Sequence, residues 1–174
     1  MSNNNLQIIG ESVFKHMNKT LRIIEITSNK IKRFPFDYMS SFTEITNLNL
    51  NDNELAWMVN LVSNTLNVID LSNNFGLYFS KEEFFGAPNL KVIKLHNIAL
   101  QHVSPNLFIS QKIASSVDLS NNNIETLESD SFHFEGSTLK FLNLKFNQIY
   151  SLDPETFNGK YKFLFLFKKK LLYF

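Results

Sequence analysis

Cysteine is absent from the 174-residue chain, and its absence excludes several kinds of chemistry at once. Without thiols, the protein cannot form disulfides, bind zinc through thiolates or use a cysteine nucleophile. Taken alone, the absence favours a reducing compartment. The opening residues 1–6 lack the basic segment and apolar run of a secretory signal, and no apolar stretch is long enough to span a bilayer.

Glycine and proline are scarce, with 5 and 4 copies, and the net charge is only +1. The scattered glycines form no phosphate-binding loop, and the balanced charge gives no general attraction to nucleic acid or membranes. The lysine run at 168–170 is typical of a solvated chain end. In contrast, the chain contains 18 phenylalanines and is 44% apolar, which predicts an ordered core rich in aromatic side chains.

A repeated pattern of aliphatic residues runs along almost the whole chain. Copies of L-x-x-L-x-L-x-x-N-x-L begin at residues 21, 45, 66, 90, 114 and 139, with a weaker copy at 161. Their separations are 24, 21, 24, 24, 25 and 22 residues. The asparagine position holds Asn29, Asn53, Asn74, Asn122 and Asn147, with Ile98 in the fourth copy.

Two positions outside this motif also repeat. The residues three places after the last leucine position are all apolar: Ile9, Phe34, Met58, Phe79, Val103, Leu127 and Leu152. Eight places after it come Phe14, Met39, Phe84, Phe108, Phe132 and Phe157, with Ser63 in the shortest copy. The pattern resembles the leucine-rich repeat, whose units span about 20–29 residues.

The segments 122–132 and 147–157 are most similar to the 24-residue class of this family, which is common in secreted and cell-surface proteins. The chain is also loosely similar to secreted arthropod members, a group that includes a non-catalytic luciferase subunit. The resemblance implies an α/β, right-handed solenoid with a parallel sheet on its concave face and irregular or short helical segments on its convex face. We expect one solenoid over residues 1–174, with a partial repeat at 1–20 and a degenerate or truncated repeat at 161–174.

Elementary stereochemistry accounts for this expected arrangement. The two leucines of L-x-L point to one side of a short strand, and the residue between them points to the other. Successive strands stack at roughly 4.8 Å, so each turn covers the apolar flank of the next. An asparagine amide satisfies the backbone groups that a buried bend leaves unpaired. The sequence therefore predicts a stacked asparagine ladder beside a core of leucine and phenylalanine.

The chain opens in mid-repeat at Asn4 and Leu6, and its last copy stops halfway. Solenoids need polar caps over their terminal repeats, and the sequence shows neither cap. Phe163, Phe165 and Phe167 fall at strand positions that should face solvent, which predicts an exposed apolar edge. We favour the interpretation that the chain is a piece of a longer array. A degenerate last repeat that caps poorly, or a truncated or mispredicted gene product, are the alternatives.

The expected concave face carries the residues that lie between the leucines. Glu25, Asp52, Asp70 and Asp118 make most of it polar or acidic, whereas the fourth and sixth copies bring lysines. Exposed aromatic residues beside charge are typical anchors of protein interfaces. We therefore hypothesise a protein-binding patch of Lys94, His96, Lys140, Phe141, Lys145 and Phe146. Alternatively, the two phenylalanines pack against a missing neighbour or cover the end of the stack.

Catalysis is not expected. None of the four histidines has metal-ligand spacing. His96 falls between Ser72 and Ser120, with Asp70 and Asp118 nearby, but an open concave face excludes no water and supplies no oxyanion hole. We therefore predict a non-enzymatic protein with no cofactor or metal and no nucleic-acid partner.

Two classes of function remain. The first is an interaction module that binds a macromolecule on its concave face, in extracellular recognition or adhesion. The second is a cytoplasmic scaffold or regulatory subunit. The missing cysteines and signal favour the second class. The phenylalanine-containing repeat and the glycosylation triplet at Asn18 favour the first, which we take as the prediction. The fold alone does not identify the partner.

Overall fold

The computed structural model describes residues 1–59, 61–79, 82–129, 131–134 and 139–157, together with the backbone pairing of Leu164–Phe165. The rest of the predicted last repeat lies outside the described residues. The expectations for the side chains of Phe163, Phe165 and Phe167 and for the lysine run at 168–170 fall there as well.

Short parallel strands dominate the described chain. In chain order they are β1 (Ile23–Glu25), β2 (Asn47–Asn49), β3 (Val68–Asp70), β4 (Val92–Lys94), β5 (Ser116–Asp118), β6 (Thr126–Leu127), β7 (Phe141–Asn143), β8 (Ser151–Leu152) and β9 (Leu164–Phe165). The main sheet has the order β1-β2-β3-β4-β5-β7-β9, and β6 pairs with β8 in a second sheet. The helical segments of the described part are two 3₁₀ helices, Glu11–Phe14 and Asp37–Ser41.

The pairing of the main sheet follows the repeat. Strands β1 to β5 and β7 each begin two residues after a predicted repeat start. Their central residues pair in register and are buried: Ile24, Leu48, Ile69, Ile93, Val117 and Leu142. Because each turn of the chain contributes one parallel strand, the molecule is a β-solenoid, as predicted. Its right-handed sense stays a prediction.

Phenylalanine rings fill the side of the core opposite the main sheet. Ring centroids of Phe84, Phe108, Phe132 and Phe157 follow one another at 6.1, 6.4 and 6.0 Å, with interplanar angles of 10°, 10° and 12°. Offset stacking at such distances adds to the free energy of burying the rings. Leu152 on strand β8, which holds a repeated apolar position near the end of the described chain, is 38% exposed.

The predicted asparagine ladder is present. The Asn122 side-chain oxygen accepts the amide N–H groups of Ile98 and Leu100, both at 3.0 Å. Its Nδ2 donates to the carbonyls of Leu95 at 2.8 Å and Leu119 at 2.9 Å. Each amide thus joins the preceding turn to its own turn, which satisfies backbone groups that have no strand partner at the bend. The same arrangement recurs at Asn29, Asn53, Asn74 and Asn147.

The ladder is interrupted at Ile98, whose apolar side chain is buried. There, the amide of Gly76 donates to the backbone carbonyl of Ile98 at 3.0 Å. The next residue, Ala99, adopts a φ of 61° and so bends the chain differently from the other turns. A main-chain oxygen thus takes the place of the missing side-chain oxygen, and the turns remain stacked.

The short second copy brings two turns unusually close together. Ser63 is buried where other turns carry a phenylalanine or a methionine, and its amide donates to the carbonyl of Gly86 at 2.9 Å. A Cβ on Gly86 would lie only 2.6 Å from the carbonyl oxygen of Leu61. Glycine is therefore required at this position by the close approach of the neighbouring backbone.

Asn122→Ala is expected to lower the free energy of unfolding by about 3 kcal/mol or more, because it leaves several buried backbone groups unpaired. The matched control is Asn123→Ala, since Asn123 is exposed and bonds to the carbonyl of Leu100 through its backbone amide, which the substitution keeps. This control should change stability by less than about 0.5 kcal/mol. Urea unfolding followed by circular dichroism measures both, and equal effects would refute the structural role of the ladder.

Gly86→Ala is expected to cost about 1–3 kcal/mol, because the new methyl group forces two packed turns apart. Gly10→Ala is the control, since the nearest atom to its Cβ would be 3.9 Å away and its φ is −89°. The control should leave the melting temperature unchanged or slightly raised. If the Gly86→Ala protein has the same melting temperature as the wild type, the two turns do not approach this closely.

Candidate functional site

The solvent side of the main sheet, called here the sheet face, is the surface that the sequence predicts to be concave. Two rows of side chains cross it from strand to strand. The first row is Ile23, Asn47, Val68, Val92, Ser116 and Phe141. The second row is Glu25, Asn49, Asp70, Lys94, Asp118 and Asn143.

Most side chains of the second row form a hydrogen bond that stabilises the turn after the strand. The side-chain oxygens of Asn49, Asp70, Asp118 and Asn143 each accept the amide N–H two residues further on, at 2.9–3.2 Å. This is the local turn that aspartate and asparagine favour. The acidic and amide character of the sheet face therefore has a structural cause, and residues that depart from the row are better candidates for binding.

Lys94 is one such departure. Its ammonium group lies 3.3 Å from a carboxylate oxygen of Asp70, whose side chain is only 11% exposed. A lysine cannot accept the turn hydrogen bond, and the amide of His96 donates instead to the hydroxyl of Ser72 at 3.3 Å. Lys94 is therefore directed toward strand β3.

Phe146 is the second residue that differs from its equivalents in the other turns. Between each strand and its ladder residue, one residue adopts a left-handed backbone with φ of 52° to 59°: Ser28, Asp52, Asn73, Asn97, Asn121 and Phe146. Asparagine and aspartate tolerate this conformation, whereas a bulky residue rarely adopts it. Phe146 is also 54% exposed, so burial in the core does not explain the aromatic ring.

The six predicted binding residues fall into two groups. Lys140, Phe141, Lys145 and Phe146 lie on strand β7 or next to it, with Phe141 half-buried beside Ser116. Lys94 and His96 lie on or just after β4, on the other side of β5. At about 4.8 Å per strand, roughly 10 Å separates the two groups. We call the four residues around β7 the β7 patch; their role in binding stays a prediction.

The serines beside His96 are engaged elsewhere. The hydroxyl of Ser120 donates to the Asp118 carboxylate at 2.7 Å, and the hydroxyl of Ser72 accepts the backbone amide of His96. These contacts hold the turns of the chain. They do not arrange a nucleophile beside a general base, which is the geometry that a serine-histidine site requires.

Asn18 lies in the segment between the first 3₁₀ helix and β1, and it is half-buried. Its Nδ2 donates to the carbonyl of Ser41 at 3.3 Å. A glycan would be attached to this nitrogen, which would keep one N–H for the contact. Glycosylation of Asn18 stays a prediction.

Sequence reasoning missed a second row of side chains, which follows the ladder along each turn and is exposed except at the half-buried Thr126. It contains the residue two places after the last leucine position of each turn: Ile8, Arg33, Trp57, Tyr78, His102, Thr126 and Ser151. Parallel bridges join Ile8 to Arg33, Trp57 to Tyr78 and His102 to Thr126. The signal in the sequence was the fixed position of these residues in each repeat, with large side chains from Ile8 to His102. We call this surface the flank row.

Comparisons with known proteins support the repeat assignment, although no family model matches the chain. Over 157 residues, the chain is 26% identical to the Oplophorus-luciferin 2-monooxygenase non-catalytic subunit of Oplophorus gracilirostris, covering 88% of this chain and 44% of the relative. It is 30% identical over 129 residues to Toll-like receptor 3 of Homo sapiens, covering 71% and 14%. It is 28% identical over 120 residues to the leucine-rich repeats and immunoglobulin-like domains protein 2 of Mus musculus, covering 67% and 11%.

The chain thus spans less than half the length of these relatives. Among solved structures, the Toll–Spätzle complex of Drosophila matches with a TM-score of 0.73 at 18% identity, covering 90% of this chain and 24% of that chain. This likeness concerns the fold. Within the described residues, no helix has the length and apolar character needed to cross a membrane.

The stacked parallel strands define a β-solenoid repeat protein. The repeat pattern, the asparagine ladder and the relatives together identify the chain as a leucine-rich repeat protein.

Phe146→Asn is expected to raise the free energy of unfolding by about 1 kcal/mol, because asparagine adopts a left-handed backbone with less strain than phenylalanine. Tyr150→Asn is the control, because Tyr150 is 71% exposed and has no positive φ. Its stability should stay level or fall slightly. Chemical denaturation measures both changes, and a loss of stability in Phe146→Asn would show that Phe146 is not strained.

Proposed function

We propose that this protein is a non-catalytic module that binds another protein through its sheet face, with Phe146 as the central anchor of the β7 patch. The observation that carries the proposal is the left-handed backbone of an exposed aromatic residue. The five equivalent positions carry serine, aspartate or asparagine. A strained residue on an exposed surface favours a role in function over a role in stability.

The surroundings of Phe146 suit a protein interface. Phe141 is half-buried on strand β7, while Lys140 beside it is exposed. Aromatic side chains bury a large apolar area on binding, and flanking charges provide specificity. The partner best matched to this patch offers an apolar pocket with carboxylates at its rim.

The relatives support an interaction role. They include a non-catalytic subunit and a receptor, and the solved neighbour is a complex of Toll with Spätzle. On this basis, we propose that the present chain acts outside the cell or at its surface in recognition or adhesion. The Asn18 triplet fits that setting, in which a glycan would be added. The cytoplasmic scaffold remains the alternative that the cysteine-free sequence favours.

A photo-crosslinking experiment tests the use of the sheet face. The crosslinking amino acid p-benzoylphenylalanine replaces Phe146 in one protein and Val13 in another, since Val13 is exposed on the first 3₁₀ helix. Each purified protein is irradiated in an extract of the source tissue. Discrete adducts are expected from position 146 and should be absent from position 13.

Competition identifies specific adducts. Excess wild-type protein should suppress them, and an excess of the Phe141→Ser, Phe146→Asn double variant should not. Excess Tyr150→Asn should compete like the wild type. Adducts of equal strength from both positions, or competition by the double variant, would contradict binding through the β7 patch.

A further inference from the structure

The flank row runs along the direction in which the turns stack, with one residue contributed by each turn. Backbone hydrogen bonds between neighbouring turns hold it in place, for example the Tyr78 amide to the Ala56 carbonyl at 3.0 Å. Seven positions spaced by roughly 4.8 Å give a length of about 29 Å. This surface is separate from the sheet face and was not used in the proposed function.

The centre of the flank row is aromatic. A parallel backbone bridge joins Trp57 to Tyr78, and the two residues are 46% and 69% exposed. The guanidinium of Arg33 lies 5.7 Å from the centre of the Trp57 ring, and Val59 exposes its side chain two residues further along the same segment. Tryptophan, tyrosine and arginine are the residue types that dominate binding energy at protein interfaces.

The two ends of this surface carry opposite charge. Lys30, Lys32 and Arg33 are exposed at the end that belongs to the first turns. Glu54 offsets part of this charge, since its carboxylate lies 3.8 Å from the Lys32 ammonium. The opposite end, formed by the fifth and sixth turns, exposes Glu125, Glu128 and Asp153.

We propose that the occupant of the flank row is a second copy of this chain, docked antiparallel about a two-fold axis at Tyr78. Tyr78 is the fourth of the seven flank positions, so a two-fold axis there brings each flank position of one copy opposite a flank position of the other. In this arrangement the Arg33 turn of one copy faces the Thr126 turn of the other, where Glu125 and Glu128 flank the contact. Trp57 faces His102, and the two tyrosines meet at the axis.

The charge arrangement selects this occupant and orientation. A parallel pair would place lysines and arginine against their own copies, and like charges in contact oppose association. The antiparallel pair makes the same favourable contact twice. The flank row has seven positions, fewer than the roughly 20–30 residues per side of a standard interface, so the dimer is expected to be weak and sensitive to salt.

Sedimentation velocity on the full 174-residue chain tests the proposal over a wide range of protein concentration. The wild type should shift from monomer toward dimer as its concentration rises, and added salt should reverse the shift. Trp57→Ser should weaken self-association more than about tenfold. Phe85→Ser is the matched control, because Phe85 is 61% exposed and lies off the flank row, and it should associate like the wild type.

Charge reversal tests the antiparallel orientation. Lys30→Glu, Arg33→Glu makes both ends acidic, and Glu125→Lys, Glu128→Lys makes both ends basic. Each variant alone should self-associate at least about tenfold more weakly, whereas a mixture of the two should form a mixed dimer. Circular dichroism confirms that each variant is folded. A wild type that stays monomeric at all concentrations, or reversed variants that associate like the wild type and do not prefer each other, would overturn the proposal.

Discussion

The hydrogen bonds of buried asparagine side chains are the constraint on which the rest of this structure depends. Strands of three residues cannot satisfy the whole backbone of a turn, and each coil must bend sharply within the core. A side-chain amide offers an acceptor and two donors on one planar group, so it can join two adjacent turns. Asn122 does so while only 3% exposed, and its contacts fix the spacing at which the leucines and phenylalanines pack.

The ladder also explains how the surface is organised. The residue before each ladder position is held in a left-handed backbone, and the residue that ends the strand accepts a turn hydrogen bond at β2, β3, β5 and β7. Asparagine, aspartate and serine meet these demands at most turns. Lys94 and Phe146 do not. The polar residues around them are explained by the turns that they stabilise, so these two residues stand out as binding candidates.

Much of the fold could be predicted from the sequence, because the repeat places one strand in every copy and its periodicity determines which side chains are buried. The parallel stacking of the strands and the presence of phenylalanine in the core followed from that pattern alone. The hydrogen bond from the Gly76 amide to the Ile98 carbonyl, which replaces the missing asparagine contact, could not be predicted, because any residue supplies a backbone carbonyl. The ion pair of Lys94 with Asp70 could not be predicted either. The strands on both sides of Lys94 carry an aspartate, Asp70 and Asp118, and the repeat pattern does not say which of them the ammonium group approaches. The flank row went unnoticed because its side chains vary from apolar to charged, and only its position repeats.

Hydrogen exchange of individual amides, followed by nuclear magnetic resonance, tests the central role of the ladder most directly. The amides of Ile31, Leu55 and Ile124 donate to asparagine side chains, and that of Gly76 donates to the Ile98 carbonyl. All four should exchange as slowly as the central strand amides, because they open only when neighbouring turns separate. Exchange at the rates of exposed loop amides would contradict the account, since stacking would then have to rest on apolar packing alone.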